Sequence, residues 1–129
     1  MTHRVTILLV LLTMSLFNLF GSSKKPDLDE LVLRQLKKAG SDLSKPHGIE
    51  FFLYFPTQSV AEQAAARIRE QGFVVEVRPA AQSNSEWLCF ATKTMVPDLS
   101  ALQKIRRDFT ALAASFDGQY DGWGTPVER

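Results

Sequence analysis

From Asp27 onward the chain switches between two hydrophobic periods, and each switch marks an element. Leu28, Leu31, Val32, Leu36 and Ala39 recur at helical spacing, with Arg34, Lys37 and Lys38 on or near the polar face. Asp27 stands where an N-cap belongs and Glu30 follows three residues on, an acidic form of the capping box. Gly40 fits the C′ position. A first helix of about three turns is therefore predicted, then a polar connection from Gly40 to Gly48. Ile49 to Phe55 alternates instead: Ile49, Phe51, Leu53 and Phe55 share one face, and Glu50, Phe52 and Tyr54 the other. Both faces are largely apolar, which places this strand centrally in a sheet, and Pro56 stops it.

Ser59-Val60-Ala61-Glu62 reads as a capping box for a second helix, which continues through Ala64, Ala65, Ile68 and Gln71 and ends at Gly72. Its alanines allow close approach to a sheet. Phe73 to Arg78 returns to period two, with Phe73, Val75 and Val77 opposite Val74, Glu76 and Arg78. Pro79 ends that strand, and Ala80 to Ser85 form a polar turn. Glu86 to Met95 is the next strand, with Trp87, Cys89 and Ala91 on one face and Leu88, Phe90 and Thr92 on the other. Pro97 and Asp98 open the longest helix, striped by Leu99, Leu102, Ile105, Phe109, Leu112 and Phe116, and Gly118 ends it. The last stretch is Phe116-Asp117-Gly118-Gln119-Tyr120-Asp121-Gly122-Trp123-Gly124-Thr125. So many glycines among aromatics predict a final strand with a bend or bulge whose aromatics pack on something.

After the first helix the order is strand, helix, strand, strand, helix, strand. This is the α+β, ferredoxin-like (split β-α-β) arrangement: a four-stranded antiparallel sheet with two crossover helices on one face and an extra N-terminal helix. The other face is open unless that helix or a partner covers it.

Ahead of this domain, Val5 to Phe20 is almost wholly apolar and is followed by Gly21-Ser22-Ser23 and Lys24-Lys25-Pro26. Residues 1–25 are expected to be a membrane anchor or signal peptide, and residues 26–129 the folded domain. An anchor is the preferred reading, although sixteen residues are fewer than the roughly 20 of a spanning helix. Cleavage after Ser23 is the alternative. Lys24 and Lys25 favour a cytoplasmic domain, opposed by Arg4 and the terminal amine. The expected location is the inner membrane with the domain in the cytoplasm; after signal cleavage it becomes periplasmic or secreted.

Composition narrows the chemistry. Of 129 residues, 45% are hydrophobic and 22% charged, and the net charge is +1, so no bulk field recruits nucleic acid. Cys89 is the single cysteine, which excludes an internal disulfide and a multi-cysteine metal cluster. His3 and His47 are the two histidines. Gly118, Gly122 and Gly124 lack the spacing and the following helix of a phosphate loop. Asp117 and Asp121 are read as binding local backbone amides rather than as paired catalytic carboxylates. Cys89 reads as a core residue and His47 as a loop residue. The expectation is a chain that is no enzyme, with no cofactor and no metal. The open sheet face allows a second reading, an RNA-binding module that stacks bases on Phe52 and Tyr54 with Trp87 or Phe90. Against it, Glu86 to Thr92 lacks the basic-Gly-aromatic signature of such modules.

The Phe116–Thr125 run, with its Tyr-Asp-Gly-Trp-Gly core, resembles the C-terminal signature of the regulator of ribonuclease E activity B family. Gly40-Ser41-Asp42, Ile49-Glu50 and Ala64-Ala65 agree with that family in order, and the likeness spans roughly Asp27 to Thr125. The resemblance implies a non-catalytic ferredoxin-like domain that acts by binding protein, with ribonuclease E as the expected partner and no direct contact with nucleic acid. Phe52, Tyr54, Tyr120, Asp121 and Trp123 are the candidate partner-binding residues. The chain departs from the family in its apolar N-terminus and its charge. From Lys24 onward fourteen basic residues face fourteen acidic ones, where the family is strongly acidic. If the apolar segment is a cleaved signal, the chain is instead an exported envelope protein of unknown ligand.

Overall fold

A computed structural model describes residues 6–7, 27–81 and 85–129. In chain order these form β1 (Thr6–Ile7), α1 (Leu28–Lys38), β2 (His47–Phe55), α2 (Gln58–Glu70), β3 (Val74–Pro79), β4 (Trp87–Met95), α3 (Leu99–Ser115) and β5 (Gln119–Pro126). The strand order is β1-β5-β2-β4-β3. The four long strands make an antiparallel sheet, and with three helices the fold is α+β of the ferredoxin-like kind, as the element order predicts. β2 lies inside the sheet, where its two apolar faces put it.

β1 pairs antiparallel with β5, Thr6 opposite Pro126 and Ile7 opposite Thr125. The rest of Val5 to Phe20 lies outside the described residues, so the anchor expected there is described only at Thr6–Ile7, which is strand and not helix. Among the described residues no helix is long and apolar enough to cross a membrane. Residues 82–84 of the turn after β3 are also outside them.

Contacts divide the chain into two compact units. The first comprises Met1–Ile49, Thr94–Gln103 and Trp123–Arg129. In it, α1 starts on Asp27, whose carboxylate accepts the amides of Asp29 and Glu30 at 3.0 and 3.1 Å. The helix buries Asp29, Val32, Leu33 and Leu36, while Arg34, Lys37 and Lys38 stay in solvent. Ala39, expected on the apolar face, is exposed because the helix has already ended at Lys38. Gly40 (φ 99°) takes the left-handed C′ position, and Ser41 N–H closes the turn on the Leu36 carbonyl at 2.9 Å.

The second unit comprises Glu50–Lys93 and Lys104–Gly122. Its interior is built on four rings. Phe109 of α3 packs against Phe51, Phe73 and Tyr120 with centroids 5.7, 5.0 and 5.8 Å apart, and Phe51 meets Phe73 at 5.5 Å. α2 contributes Ala61, Ala64, Ala65 and Ile68, all fully buried. Its cap is not Ser59 but Thr57, two residues earlier, whose hydroxyl accepts Val60 N–H at 3.2 Å. Both positions carry a hydroxyl, and the extended backbone of Thr57 (φ −139°, ψ 160°) decides between them.

The end of α3 differs from expectation in one detail. Asp117, not Gly118, adopts the left-handed conformation (φ 56°). Gly118 N–H reaches the Ala113 carbonyl at 2.8 Å, so Asp117 is C′ and Gly118 is C″ of a Schellman turn. Gly118 is needed for space, since a Cβ there would overlap the Phe55 ring and the Tyr54 carbonyl. Gly118→Ala should therefore cost about 1–3 kcal/mol of stability, as overpacking does. Asp117→Gly, which removes the left-handed strain, should cost nothing. Urea unfolding midpoints of the two variants check both.

Candidate functional site

β2 sorts its residues by parity. His47, Ile49, Phe51, Leu53 and Phe55 are buried, and Gly48, Glu50, Phe52 and Tyr54 between them are half-buried. In the second unit this outer row continues across β4 and β3. The Phe52 and Phe90 rings meet edge to face at 5.5 Å, and the Arg78 guanidinium lies 4.5 Å from the centre of the Phe90 ring. Pairing of Glu76 with Phe90 and of Arg78 with Leu88 puts all four on that face. Trp87 pairs with Pro79 and shares the opposite face with Cys89, so Phe90 is the aromatic that joins Phe52.

Tyr54 and Asp121 stand at the other end of the row, and Glu86 influences both. Burial pushes the Tyr54 phenol above its ordinary value, and the charges of Asp121 and Glu86 add to the effect. Burial likewise raises the Asp121 carboxyl, with Glu86 adding repulsion. Phe52, Tyr54, Phe90, Arg78 and Asp121 thus form one patch of aromatic rings with a cation and a carboxylate. Arg78 is the member that sequence reasoning missed, because only the β3–β4 register brings it over Phe90.

The other two candidates lie elsewhere. Tyr120 is half-buried, with its ring on Phe109 and Arg106 over it at 5.4 Å. Trp123 belongs to the first unit and is fully buried, its indole N–H donating to Asp29 Oδ1 at 2.9 Å. In an unbroken strand, residues three apart point to opposite faces. Tyr120 reaches α3 and Trp123 reaches α1, and Gly122 between them in the chain is left-handed (φ 101°).

The groups that could serve chemistry are structural. Cys89 is buried, its thiol donates to the Ala61 carbonyl at 3.2 Å, and burial pushes it up to about 12. His47 is not a loop residue but the buried first residue of β2. Its Nδ1–H donates to the Lys45 carbonyl at 2.8 Å, so in the neutral ring Nε2 accepts from the Ser41 hydroxyl at 2.6 Å. The Ser41 oxygen also accepts Glu128 N–H at 3.1 Å, and Asp42 N–H donates to the Glu128 carbonyl at 2.6 Å. A serine beside a histidine suggests a nucleophile and its base, but both are buried and clamp the C-terminal residues. Among the described residues no three His, Cys, Asp or Glu side chains are placed to hold a metal ion.

Two motifs thus converge in the first unit. Gly40-Ser41-Asp42 holds Glu128, and Thr125 Oγ1 donates to the Gly48 carbonyl at 3.1 Å beside the Trp123–Asp29 bond. The family model described as regulator of ribonuclease activity B matches residues 27–125. The chain belongs to that family. No curated protein matches it. Regulator of ribonuclease activity B is a family of regulators, and the first-unit part of its signature here builds the fold: Gly40 turns the chain, Ser41 and Asp42 bind the C-terminal backbone, and Trp123 anchors α1.

Two measurements test this division. Trp123→Phe and Asp29→Ala should each lower stability by about 1–3 kcal/mol through loss of a buried hydrogen bond, with the double variant losing less than the sum. Asp121 should show the opposite sign. Its carboxyl is raised in the folded state, so the folded state disfavours the ionised form. Its contribution is absent at low pH and becomes unfavourable as pH rises through the raised value. Asp121→Asn should therefore unfold at higher urea than the parent at neutral pH, the gap closing below about pH 3.

Proposed function

We propose that the chain regulates ribonuclease E by binding it as a protein, without chemistry of its own, through Phe52, Tyr54, Phe90, Arg78 and Asp121. The observation that carries this reading is the match to regulators of ribonuclease activity across residues 27–125. The site adds support of a different kind. The candidate nucleophiles Ser41 and Cys89 are buried in structural hydrogen bonds. The outer row of the second unit keeps the rings of Phe52, Tyr54 and Phe90 half-buried beside the exposed guanidinium of Arg78, and aromatic residues and arginine are enriched at interfaces. Tyr120 and Trp123 hold up this surface or the fold around it and are proposed to act indirectly.

The apolar run from Val5 to Phe20 supports a further element of the proposal, a membrane tether that keeps the domain beside its target. A spanning helix there and the β1 pairing of Thr6–Ile7 exclude each other, so a tethered form would lack the strand. N-terminal sequencing of the protein from membrane and soluble fractions decides this. An intact Met1 in the membrane fraction supports the tether, and a start at Lys24 makes the domain an exported one.

Binding itself is tested by pull-down and inhibition assays with purified ribonuclease E. Tyr54→Ala and Asp121→Lys should each weaken binding by about tenfold or more, the scale of a hot-spot loss, with unchanged circular dichroism. Full binding by both variants would remove this face from the proposal. An RNA gel shift lost in Tyr54→Ala, with no ribonuclease captured, would instead favour base stacking on the same rings.

A further inference from the structure

β3 is the last strand of the sheet, and among the described residues nothing pairs with its far edge. The direction of its backbone groups can be read from the register. Ala80 N–H donates to the Glu86 carbonyl at 3.0 Å, on the same diagonal as the β3–β4 pairs. Backbone direction alternates along a strand. Val74, Glu76 and Arg78 therefore turn their amides and carbonyls to β4, and Val75, Val77 and Pro79 turn theirs outward.

That outward row is incomplete in a particular way. Pro79 has no N–H to offer. The Val75 carbonyl is occupied by Arg69 Nη2 of α2 at 2.9 Å. Val77 presents both groups. If a second copy pairs antiparallel about a two-fold axis at Val77, the two Val77 residues exchange both hydrogen bonds. Each Val75 N–H then meets the second copy's Pro79 carbonyl. Each Val75 carbonyl faces the second copy's Pro79, which has no N–H to give, so it gains no bond across the seam and keeps the one from Arg69 of its own chain.

The side chains obey the same symmetry. Glu76 and Arg78 flank Val77 on the outer face, 3.5 Å apart within one chain, with side chains 66% and 44% exposed. About the Val77 axis, Glu76 stands opposite the second copy's Arg78, and Arg78 opposite its Glu76. These fall at non-hydrogen-bonded positions, where cross-strand side chains approach most closely. Val74, 73% exposed, is brought opposite the second copy's Ala80. An isologous contact needs a surface complementary to itself, and Glu76-Val77-Arg78 is one.

We propose that β3 is a self-pairing edge, through which two copies of this chain join their sheets by antiparallel β3–β3 contact centred on Val77. The proposal shares Arg78 with the ribonuclease reading but does not rest on it, since sedimentation reads self-association without ribonuclease E.

Sedimentation velocity on the full chain over a concentration series tests it. The parent should shift from its 14.5 kDa mass to twice that as concentration rises. Glu76→Arg and Arg78→Glu each place like charges opposite one another and should weaken association by about tenfold or more. Both positions are exposed, so circular dichroism should be unchanged. An equimolar mixture of the two variants pairs arginines with glutamates across the axis and should recover the dimer, as should the double exchange Glu76→Arg/Arg78→Glu. A parent that stays monomeric throughout, a dimer indifferent to the single substitutions, or a mixture that fails to recover overturns the proposal. So does an Arg69→Ala variant that associates more strongly than the parent, since Arg69 would then guard the edge rather than complete the seam.

Discussion

The first unit depends on one hydrogen bond between the ends of the domain. Asp29 sits in the opening turn of α1 and Trp123 in β5, 94 residues later, and the indole N–H meets the carboxylate in a fully buried setting. A carboxylate removed from water is costly unless donors replace the lost solvent. The indole supplies one donor and a large apolar surface together. Asp29 also lies where a helix N-terminus favours negative charge. The pair therefore fixes which face of α1 turns inward, and Val32, Leu33 and Leu36 follow on the same stripe.

Close by, a second polar group performs the same kind of closure for the chain end. Ser41 binds His47 and Glu128, Asp42 binds Glu128, and Lys45 Nζ donates to the Arg129 carbonyl at 3.0 Å. Gly40 is required to turn α1 into this group, and the Arg129 side chain lies 3.4 Å from where its Cβ would be. The first-unit part of the family signature thus describes a closure rather than a binding surface. In the second unit the division is by strand parity. Phe51 of β2 joins the ring cluster around Phe109, the other odd positions are buried, and even positions supply the outer row. That row is where the aromatic, basic and acidic groups remain partly in solvent.

Much of this was legible in the sequence because it rests on local rules. Period-two and helical spacing located each long strand and helix of the described residues, and the alternation of β2 separated Phe51 from Phe52 without any structure. Gly40, Gly72 and Asp27 mark their caps by conformational and hydrogen-bonding preferences that act within a few residues. The element order then selected the ferredoxin-like topology. Where two local solutions were equally good the sequence was ambiguous. Thr57 and Ser59 each offer a hydroxyl to a helix start, and Asp117 and Gly118 each offer a residue tolerant of a left-handed turn.

Tertiary structure settled the second of these, and the fate of several other side chains, through space and long-range partners. Gly118 must lack a side chain because Phe55 and the Tyr54 carbonyl occupy its place, which leaves the left-handed position to Asp117. His47 became a buried strand residue because Ser41 and the Lys45 carbonyl satisfy both ring nitrogens. Arg78 joined the aromatic row only through strand register. Trp123 went inward because a carboxylate on a distant helix was there to receive its N–H. Periodicity and capping chemistry are properties of neighbouring residues, so the sequence alone determined the elements, their order and their inner faces. Which polar atoms meet across 94 residues depends on how those elements pack, and only the folded chain decided it.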